Sequence, residues 1–357
     1  MKIAIIGTAG IPAKYGGFET LTEYLTQELG EQFTISVYCS SKIYTDKVKK
    51  FNNSNLHYIP LNANGAQSIP YDILSLFSAA KSNDIILILG VSGCIILPIF
   101  KLFYSKKKLI INIDGLEHKR AKWNSVIKKF LKLSERIAVK YGDIIISDNK
   151  EIQSYVRTEY NKESILIAYG GDHVKKCELS ESIKLEYNLA DNYAFKVCRI
   201  EPENNIEMIL QAFSKLNYQF VIVGNWDKSQ YGIDLKNKYS EFENLRLLDA
   251  IYNQNILNQI RSNCSIYIHG HSAGGTNPSL VEAMNLSLPI FAFDVPYNRS
   301  TTFDKAKYFK SSEDLIELIS NIDSIDLKEL GKTMKEIAEE NYTWKRIASE
   351  YSKLFEK

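Results

Sequence analysis

Short apolar runs alternate with amphipathic segments along most of the chain, and this alternation constrains the fold more than any other feature. The runs are rich in Ile, Val and Leu and lack a clean two-residue alternation, which is typical of strands buried on both faces of a parallel sheet. Phe18, Leu21, Leu25 and Leu29 recur at spacings of three and four, which predicts an amphipathic helix after the first strand. In the first half the candidate strands are 3–7, 34–38, 56–60, 84–90, 109–114, 143–148 and 165–169.

The same pattern restarts in the second half, after a polar, glycine-led stretch over 170–192 that we interpret as a linker. At about 150 residues per domain, 357 residues suggest two domains. The sequence therefore predicts two doubly wound α/β domains in series. The second set of candidate strands is 193–198, 220–224, 245–249, 265–270 and 289–293.

Composition excludes several classes of protein. Apolar residues make up 45% and charged residues 24%, which excludes a disordered or fibrous chain. The net charge of +2 gives no overall nucleic-acid signature. The five cysteines include no Cys-x-x-Cys pair, which argues against a zinc site or a disulfide framework. The longest apolar stretch, 85–104, is interrupted by glycine, proline and lysine, and no signal-peptide core is present, so we expect a cytoplasmic protein.

The segment GTAGIPAKYGGFET links the first strand to the first helix. Glycines before a helix N-terminus suit an anion, because free backbone N–H groups and the helix dipole point at it. The Gly-x-Gly-x-x-Gly spacing would fall on Gly7, Ala9 and Pro12, and no acidic residue ends the second strand, which argues against NAD. A tight turn without a ligand is the alternative.

Two segments of the second half together predict a nucleotide-sugar site. Arg199 follows a strand, where a guanidinium can pair with phosphate oxygens. In HGHSAGGTNPSLVEAM, Asn277 is a good N-cap and Pro278 suits the first helical position. Glu282, one turn into that helix, can accept two ribose hydroxyls. The anion site at this helix N-terminus would be formed by Gly274, Gly275, Thr276, Asn277 and Ser279.

The order of these segments resembles the family 4 glycosyltransferases of the GT-B fold. The resemblance spans nearly the whole chain and implies two facing Rossmann-like domains, one binding the acceptor (1–170) and one the nucleotide sugar (171–340). It also implies that a C-terminal helix over 341–357 packs back on the first domain. The segments YIHGHSAGGTNPSLVEAM, INIDGLEHKRAKW and FDVPYNRSTT are most similar to bacterial rhamnosyltransferases of capsule and surface-polysaccharide assembly.

The resemblance also implies roles for single residues. Arg199 matches the arginine that neutralises the donor diphosphate, whereas the family's lysine five residues later is Asn204 here. Glu282 matches the ribose-binding glutamate, but the family's sugar-contacting glutamate eight residues earlier is Gly274. That loss counts against glucose-like donors and suits a 6-deoxy sugar. Gly16 and Gly17 match the glycine loop of the first domain, which the resemblance places near the donor phosphates and the acceptor.

Acid–base groups are expected after the fifth long strand of the first half. Asp114 occupies the place of a family histidine, and Glu117 and His118 are rival candidates for orienting the acceptor hydroxyl or taking its proton. The resemblance implies transfer with retention, in which the donor phosphate itself can take that proton. No Asp-x-Asp occurs, which is typical of GT-B enzymes that need no metal, so we expect no cofactor beyond a dTDP- or UDP-linked sugar.

Residues 101–140 form a basic segment with twelve Lys or Arg and three Asp or Glu. Each basic residue near an anionic leaflet contributes about 1 kcal/mol, so the segment predicts peripheral docking at the inner face of the cell membrane, near a lipid-linked glycan acceptor. A solvated helix face is the alternative. Nucleic acid is not expected, because the segment lacks an aromatic stacking platform.

Two rival functions remain open at the level of sequence. The absence of lysine at 204 and of glutamate at 274 is compatible with a non-catalytic subunit that binds nucleotide sugars. A GT-B nucleotide-sugar epimerase would have a similar donor half but would need no acceptor.

Overall fold

The computed structural model describes residues 1–14, 16–113, 115–119 and 123–356. The chain forms two compact units. Unit 1 comprises Met1–Tyr169 together with Trp344–Lys357, and unit 2 comprises Gly170–Thr343. No helix among the described residues is long and apolar enough to cross a membrane.

Unit 1 begins with alternating strands and helices that carry the predicted apolar runs. The amphipathic segment beginning at Phe18 is helical, as its three- and four-residue spacing predicted. The elements are β1 (Lys2–Ile6), α1 (Gly17–Leu29), β2 (Thr34–Ser40), β3 (Lys50–Phe51), β4 (Ser54–Ile59), α2 (Ser68–Ala80), β5 (Ile85–Leu89), α3 (Leu97–Phe103), β6 (Lys108–Ile113), α4 (Ser125–Tyr141), β7 (Ile144–Ser147), α5 (Lys150–Tyr160) and β8 (Ile165–Leu166).

The sheet of unit 1 has the order β3-β4-β2-β1-β5-β6-β7-β8. Neighbouring strands run parallel, except that β3 and β4 are antiparallel. β1 lies between β2 and β5, so the order of strands reverses at β1. Ligands of open α/β sheets collect at the carboxyl ends of strands at such a reversal.

Unit 2 contains the second set of predicted strands. Its elements are α6 (Glu181–Glu186), β9 (Tyr193–Val197), α7 (Ile206–Phe213), β10 (Gln219–Val223), α8 (Gln230–Tyr239), β11 (Leu245–Leu248), α9 (Gln254–Ser262), β12 (Ile266–His269), α10 (Pro278–Asn285), β13 (Ile290–Phe293), α11 (Pro296–Thr301), β14 (Lys307–Phe309), α12 (Ser312–Ser320) and α13 (Leu327–Asn341).

The sheet of unit 2 is parallel, in the order β11-β10-β9-β12-β13-β14. Here the order reverses at β9, which lies between β10 and β12. The prediction of a doubly wound α/β fold in two halves is therefore confirmed. The expected boundaries at 170/171 and 340/341 compare with divisions after Tyr169 and after Thr343 in the structure.

The last helix, α14 (Trp344–Glu356), belongs to unit 1. Trp344 stacks on Tyr24 of α1 with ring centroids 4.6 Å apart, and Phe355 meets Phe33 edge-on at 5.5 Å. The amide of Asn112 on β6 donates a hydrogen bond of 2.8 Å to the buried hydroxyl of Tyr351. These contacts make α14 part of the hydrophobic core of unit 1.

Candidate functional site

The carboxyl ends of β9 and β12 bring together the segments that carry Arg199 and the glycine-rich loop. The two strands are parallel neighbours, with Ala194 beside Ile266 and Phe195 beside Tyr267. Arg199 follows the end of β9, and the loop 270–277 follows the end of β12. The side chain of Arg199 is 42% exposed, and its Nη1 lies 3.9 Å from Oε1 of Glu201. A guanidinium in this position can meet a phosphate from the solvent side.

A short 3-10 turn over residues 202–204 holds this loop in place. The backbone N–H and the hydroxyl of Ser272 both donate to the carbonyl of Glu203, each at 2.9 Å. The side-chain amide of Asn205 donates to the carbonyl of Gly270 at 2.9 Å, and that of Asn204 donates to the carbonyl of Arg199 at 2.6 Å. The strand end, the turn and the loop therefore form one hydrogen-bonded assembly.

Helix α10 begins as its sequence predicts. Oδ1 of Asn277 accepts hydrogen bonds from the backbone N–H of Ser279 at 3.0 Å and from its hydroxyl at 2.8 Å. Pro278 occupies the first turn, where it has no N–H to leave unsatisfied. The hydroxyl of Tyr267, on the buried strand β12, donates to that of Ser279 at 3.0 Å. Thr276 is buried next to the cap, at 4% exposure.

Gly274 has a backbone conformation that explains why a glycine stands there. Its φ of +126° is rarely adopted by residues with a side chain, and a Cβ placed on it would meet no atom within 4 Å. The loop at this point is therefore open where the resembled family carries a glutamate. A glutamate could occupy the space but would strain this backbone.

Glu282 is held by two residues that the sequence did not single out. Arg261, which is 2% exposed, forms an ion pair with Oε2 of Glu282, and Nε2 of His173 lies 3.3 Å from Oε1. Burial favours a raised pKa for Glu282, but Arg261 and then His173 lower the pKa overall. The carboxylate is ionised and can only accept hydrogen bonds, which suits sugar hydroxyls.

In unit 1, the loop after β1 uses carboxylates of the chain itself as its anions. The backbone N–H of Ala9 and the hydroxyl of Thr8 donate to Oε1 of Glu19, at 2.7 and 3.2 Å. The N–H of Ala13 donates to Oε2 of Glu23. The loop donors that were expected to bind an anionic ligand therefore bind two glutamates of α1 instead. A donor role for Gly16, the N-cap position of α1, and for Gly17 stays a prediction.

Of the three acid–base candidates, Asp114 lies outside the described residues. His118 directs Nδ1 at Oε2 of the buried Glu135, 3.0 Å away. Glu117 accepts a hydrogen bond of 3.0 Å from the indole N–H of Trp123. The two candidates in the described part of the loop therefore have defined partners within unit 1.

Glu135 is one of the three acidic residues of the basic segment 101–140. The hydroxyls of Tyr155 and Tyr160 donate to its Oε1 at 2.6 and 2.5 Å. Burial favours a raised pKa for Glu135, but the hydrogen bonds from His118, Tyr155 and Tyr160 lower the pKa overall. The carboxylate of Glu135 therefore fixes the orientation of the His118 ring.

Two family models match this chain. Residues 1–172 match the model described as a domain of unknown function, DUF1972, and residues 180–344 match glycosyl transferases group 1. An uncharacterized glycosyltransferase of Methanocaldococcus jannaschii is 25% identical over 72% of this chain and 70% of its own length.

Two solved structures share the fold of the whole chain. Sucrose-phosphate synthase of Thermosynechococcus elongatus has a TM-score of 0.81 at 15% identity, over 99% of this chain and 98% of its own. HepE of Anabaena, in complex with UDP-glucose, has a TM-score of 0.76 at 14% identity, over 100% and 99%. The chain thus has the GT-B fold, and its residues 180–344 are a glycosyltransferase group 1 domain.

Proposed function

We propose that this protein is a retaining glycosyltransferase that moves a sugar from a UDP- or dTDP-linked donor to a lipid-linked or glycan acceptor of surface-polysaccharide assembly. The observation that carries the proposal is the ionised Glu282, fixed by Arg261 and His173 in a helix that begins at the glycine-rich loop. A ribose needs an acceptor for two hydroxyls, and its diphosphate needs a cation and a helix N-terminus nearby. Unit 2 supplies these groups within one assembly.

The same residues suit the chemistry of transfer. Arg199 and the N-terminus of α10 would stabilise the negative charge that develops on the departing nucleoside diphosphate. The acceptor hydroxyl would attack from the same face and give up its proton to the departing phosphate or to His118. With these groups carrying the charge, the diphosphate would need no metal ion and the enzyme no separate cofactor.

Two lines of support favour different donor nucleotides. The solved complexes of HepE contain UDP and UDP-glucose, which favours a uridine nucleotide. The similarity of the loop and of FDVPYNRSTT to rhamnosyltransferases favours dTDP-rhamnose. Gly274, which leaves the loop open where a sugar-contacting glutamate would stand, supports a 6-deoxy sugar.

Thermal stability in the presence of UDP, dTDP, GDP and ADP, each with and without its sugar, tests the donor site. A ligand at 100 times its Kd stabilises the protein by about 2.7 kcal/mol, which is readable as a shift in Tm. We expect one nucleotide to raise Tm in the wild type and to have little effect on Glu282→Gln. Glu336→Gln, an exposed carboxylate of α13, is the matched control. If neither UDP nor dTDP raises Tm in the wild type, the proposal is wrong.

Product analysis with the nucleotide sugar that raises Tm distinguishes a transferase from the two alternatives, an epimerase and a non-catalytic subunit. A transferase forms product only when an acceptor glycan is added. An epimerase converts the donor without an acceptor, and a non-catalytic subunit binds the donor and leaves it unchanged.

We also propose that unit 1 docks on an anionic membrane from the cytoplasmic side. The helices α3 and α4 pack against each other and expose apolar side chains beside basic ones. Leu102 and Phe103 of α3 are 80% and 75% exposed, and Val126 of α4 is 76% exposed. One stripe of α4, at helical spacing, consists of Val126, Lys129, Leu133, Arg136 and Lys140, all exposed. Apolar insertion and attraction to anionic lipid would act together at this surface.

Co-sedimentation with vesicles tests the docking surface. We expect binding to phosphatidylcholine vesicles that contain phosphatidylglycerol and little binding to phosphatidylcholine alone. Replacing both Leu102 and Phe103 by Ser should abolish binding, whereas Leu185→Ser, an equally exposed leucine of α6, should not. Equal binding of all three proteins, or no lipid preference, would contradict docking through this surface.

A further inference from the structure

A lysine is buried beneath the loop that follows β12. Lys196 lies on β9 between Phe195 and Val197 and is 0% exposed. Within the described residues its Nζ has no hydrogen-bond partner. A buried amine without a partner is costly, and an apolar side chain of similar length would avoid that cost. Structural need therefore does not explain a lysine at this position.

The amine lies against Gly270, the first residue of the glycine-rich loop. A Cβ built on Gly270 would be 3.3 Å from Nζ of Lys196 and 2.4 Å from the backbone carbonyl oxygen of Asn204. The amine is thus a neighbour of the turn that carries Asn204, and Gly270 places no side chain over it. Asn204 is the position where the resembled family carries its lysine.

Other polar atoms around Gly270 are also unsatisfied. Oδ1 of Asn204 and both ring nitrogens of His269 are buried and have no hydrogen-bond partner in the parts of the chain that the structure describes. Buried polar groups are nearly always paired, so a cluster of unpaired ones indicates a place where a ligand completes the bonding. Burial lowers the pKa of Lys196, as expected for an amine that lacks its counter-charge.

We propose that Lys196 is a donor-binding residue whose amine, reaching the loop from β9, supplies the positive charge to the diphosphate that the family's lysine supplies from position 204. This inference rests on the proposed function of unit 2 as the donor-binding domain. Arg199 would meet the diphosphate from the exposed side of the strand end, and Lys196 from the buried side at Gly270. Charge-assisted bonds from two sides would favour a nucleoside diphosphate over a monophosphate.

The affinities for mono- and diphosphates, measured by calorimetry, test this role. The probes are UMP and UDP, with dTMP and dTDP as the second pair. In the wild type we expect the diphosphate to bind more tightly than the monophosphate. Lys196→Met should lower diphosphate affinity about ten- to a hundredfold, the range for a hydrogen bond to a charged group, and leave monophosphate affinity unchanged. Lys215→Met, at an exposed lysine of unit 2, should change neither.

Two further readouts separate binding from a structural role. Because Met removes an unpaired buried amine, Lys196→Met should keep or raise the Tm of the free protein. Adding Asn204→Lys to Lys196→Met should restore the preference for the diphosphate, because the charge then comes from the family's position. A lower Tm together with equal losses for mono- and diphosphate would show that Lys196 is structural and would overturn the inference.

The remaining outcomes are also distinct. If the wild type binds a diphosphate and Lys196→Met binds it equally well, the inference fails and the proposed function stands. If the wild type binds none of the four nucleotides, the proposed donor site fails and the inference fails with it.

Discussion

Asp72 is a buried carboxyl group in the core of unit 1. It lies on α2 next to a small cavity lined by Leu76, Ile88 and Leu97, and the hydroxyl of Ser92 donates to its Oδ2. Burial raises the pKa of Asp72 to about 7, although the bonds from Ser92 and from the N–H of Gly93 oppose the rise. The charge of this residue therefore changes in the folded protein near neutral pH.

The sign of the resulting pH dependence follows from proton binding. The unfolded carboxyl loses its proton near pH 3.8, whereas the folded one keeps it until about pH 7. The folded state holds more protons between these values, so the contribution of Asp72 to stability falls as pH rises through that window. We expect Asp72→Asn to be more stable than the wild type at pH 8, by about 2–4 kcal/mol, and to lose this advantage near pH 4.

Urea unfolding at pH 4, 6 and 8 measures this effect. Asp46→Asn, at an exposed aspartate of the same unit, should show no such gain at pH 8. A wild type and an Asp72→Asn variant with parallel pH profiles would show that Asp72 is ionised in the fold.

At the residue scale, the sequence predicted contacts between residues a few positions apart but not contacts between distant segments. The cap of Asn277 and the first-turn Pro278 were predicted and are confirmed, because a cap involves residues two or three positions apart. Arg261 and His173 were missed as partners of Glu282, because only the fold brings their segments to α10. An arginine inside a helix carries no signal that marks it as buried.

Helix α14 adds its apolar side chains to the core of unit 1 from a distant part of the sequence. We expect Trp344→Ala to reduce the stability of unit 1 by about 3–5 kcal/mol, because it removes the ring stacked on Tyr24. Tyr351→Phe should cost about 1–3 kcal/mol, because it leaves the buried amide of Asn112 without this acceptor.

Both predictions are checked by the hydrogen-exchange rates of β1 and β6, because these rates report how often unit 1 opens. Arg346→Ala, on the exposed side of the same helix, should change exchange little. If Trp344→Ala left exchange in these strands unchanged, α14 would be dispensable for the core.

The elements predicted from sequence were those with long buried runs. The central strands were found because apolar residues fill both faces, as in Ile85–Leu89. The edge strands β3 and β14 were missed, since Lys50–Phe51 and Lys307–Phe309 contain no Ile, Val or Leu. The helix that follows Arg199 begins only at Ile206, because the 3-10 turn over 202–204 and Asn205, whose φ is +51°, come first.

On the scale of the whole molecule, the two units have the same architecture but different proposed roles. Since a ligand stabilises the unit that binds it, we expect a donor nucleotide to slow hydrogen exchange chiefly in unit 2. The segments 196–205 and 270–286 should gain the most protection. Glu282→Gln should lose this gain, and protection confined to residues 7–20 of unit 1 would contradict the assignment of the donor site.

The chain enters and leaves unit 2 at adjacent points, where the N–H of Gly171 donates to the carbonyl of Tyr342 at 2.8 Å. Unit 2 is one continuous stretch of sequence, whereas unit 1 includes α14, which follows unit 2 in the chain. On the ribosome, all the strands of unit 2 have been synthesised by Phe309, before Trp344 exists. Synthesis of unit 1 thus begins before that of unit 2 and ends after it. During translation the apolar surface of α1 therefore stays uncovered until α14 has been made.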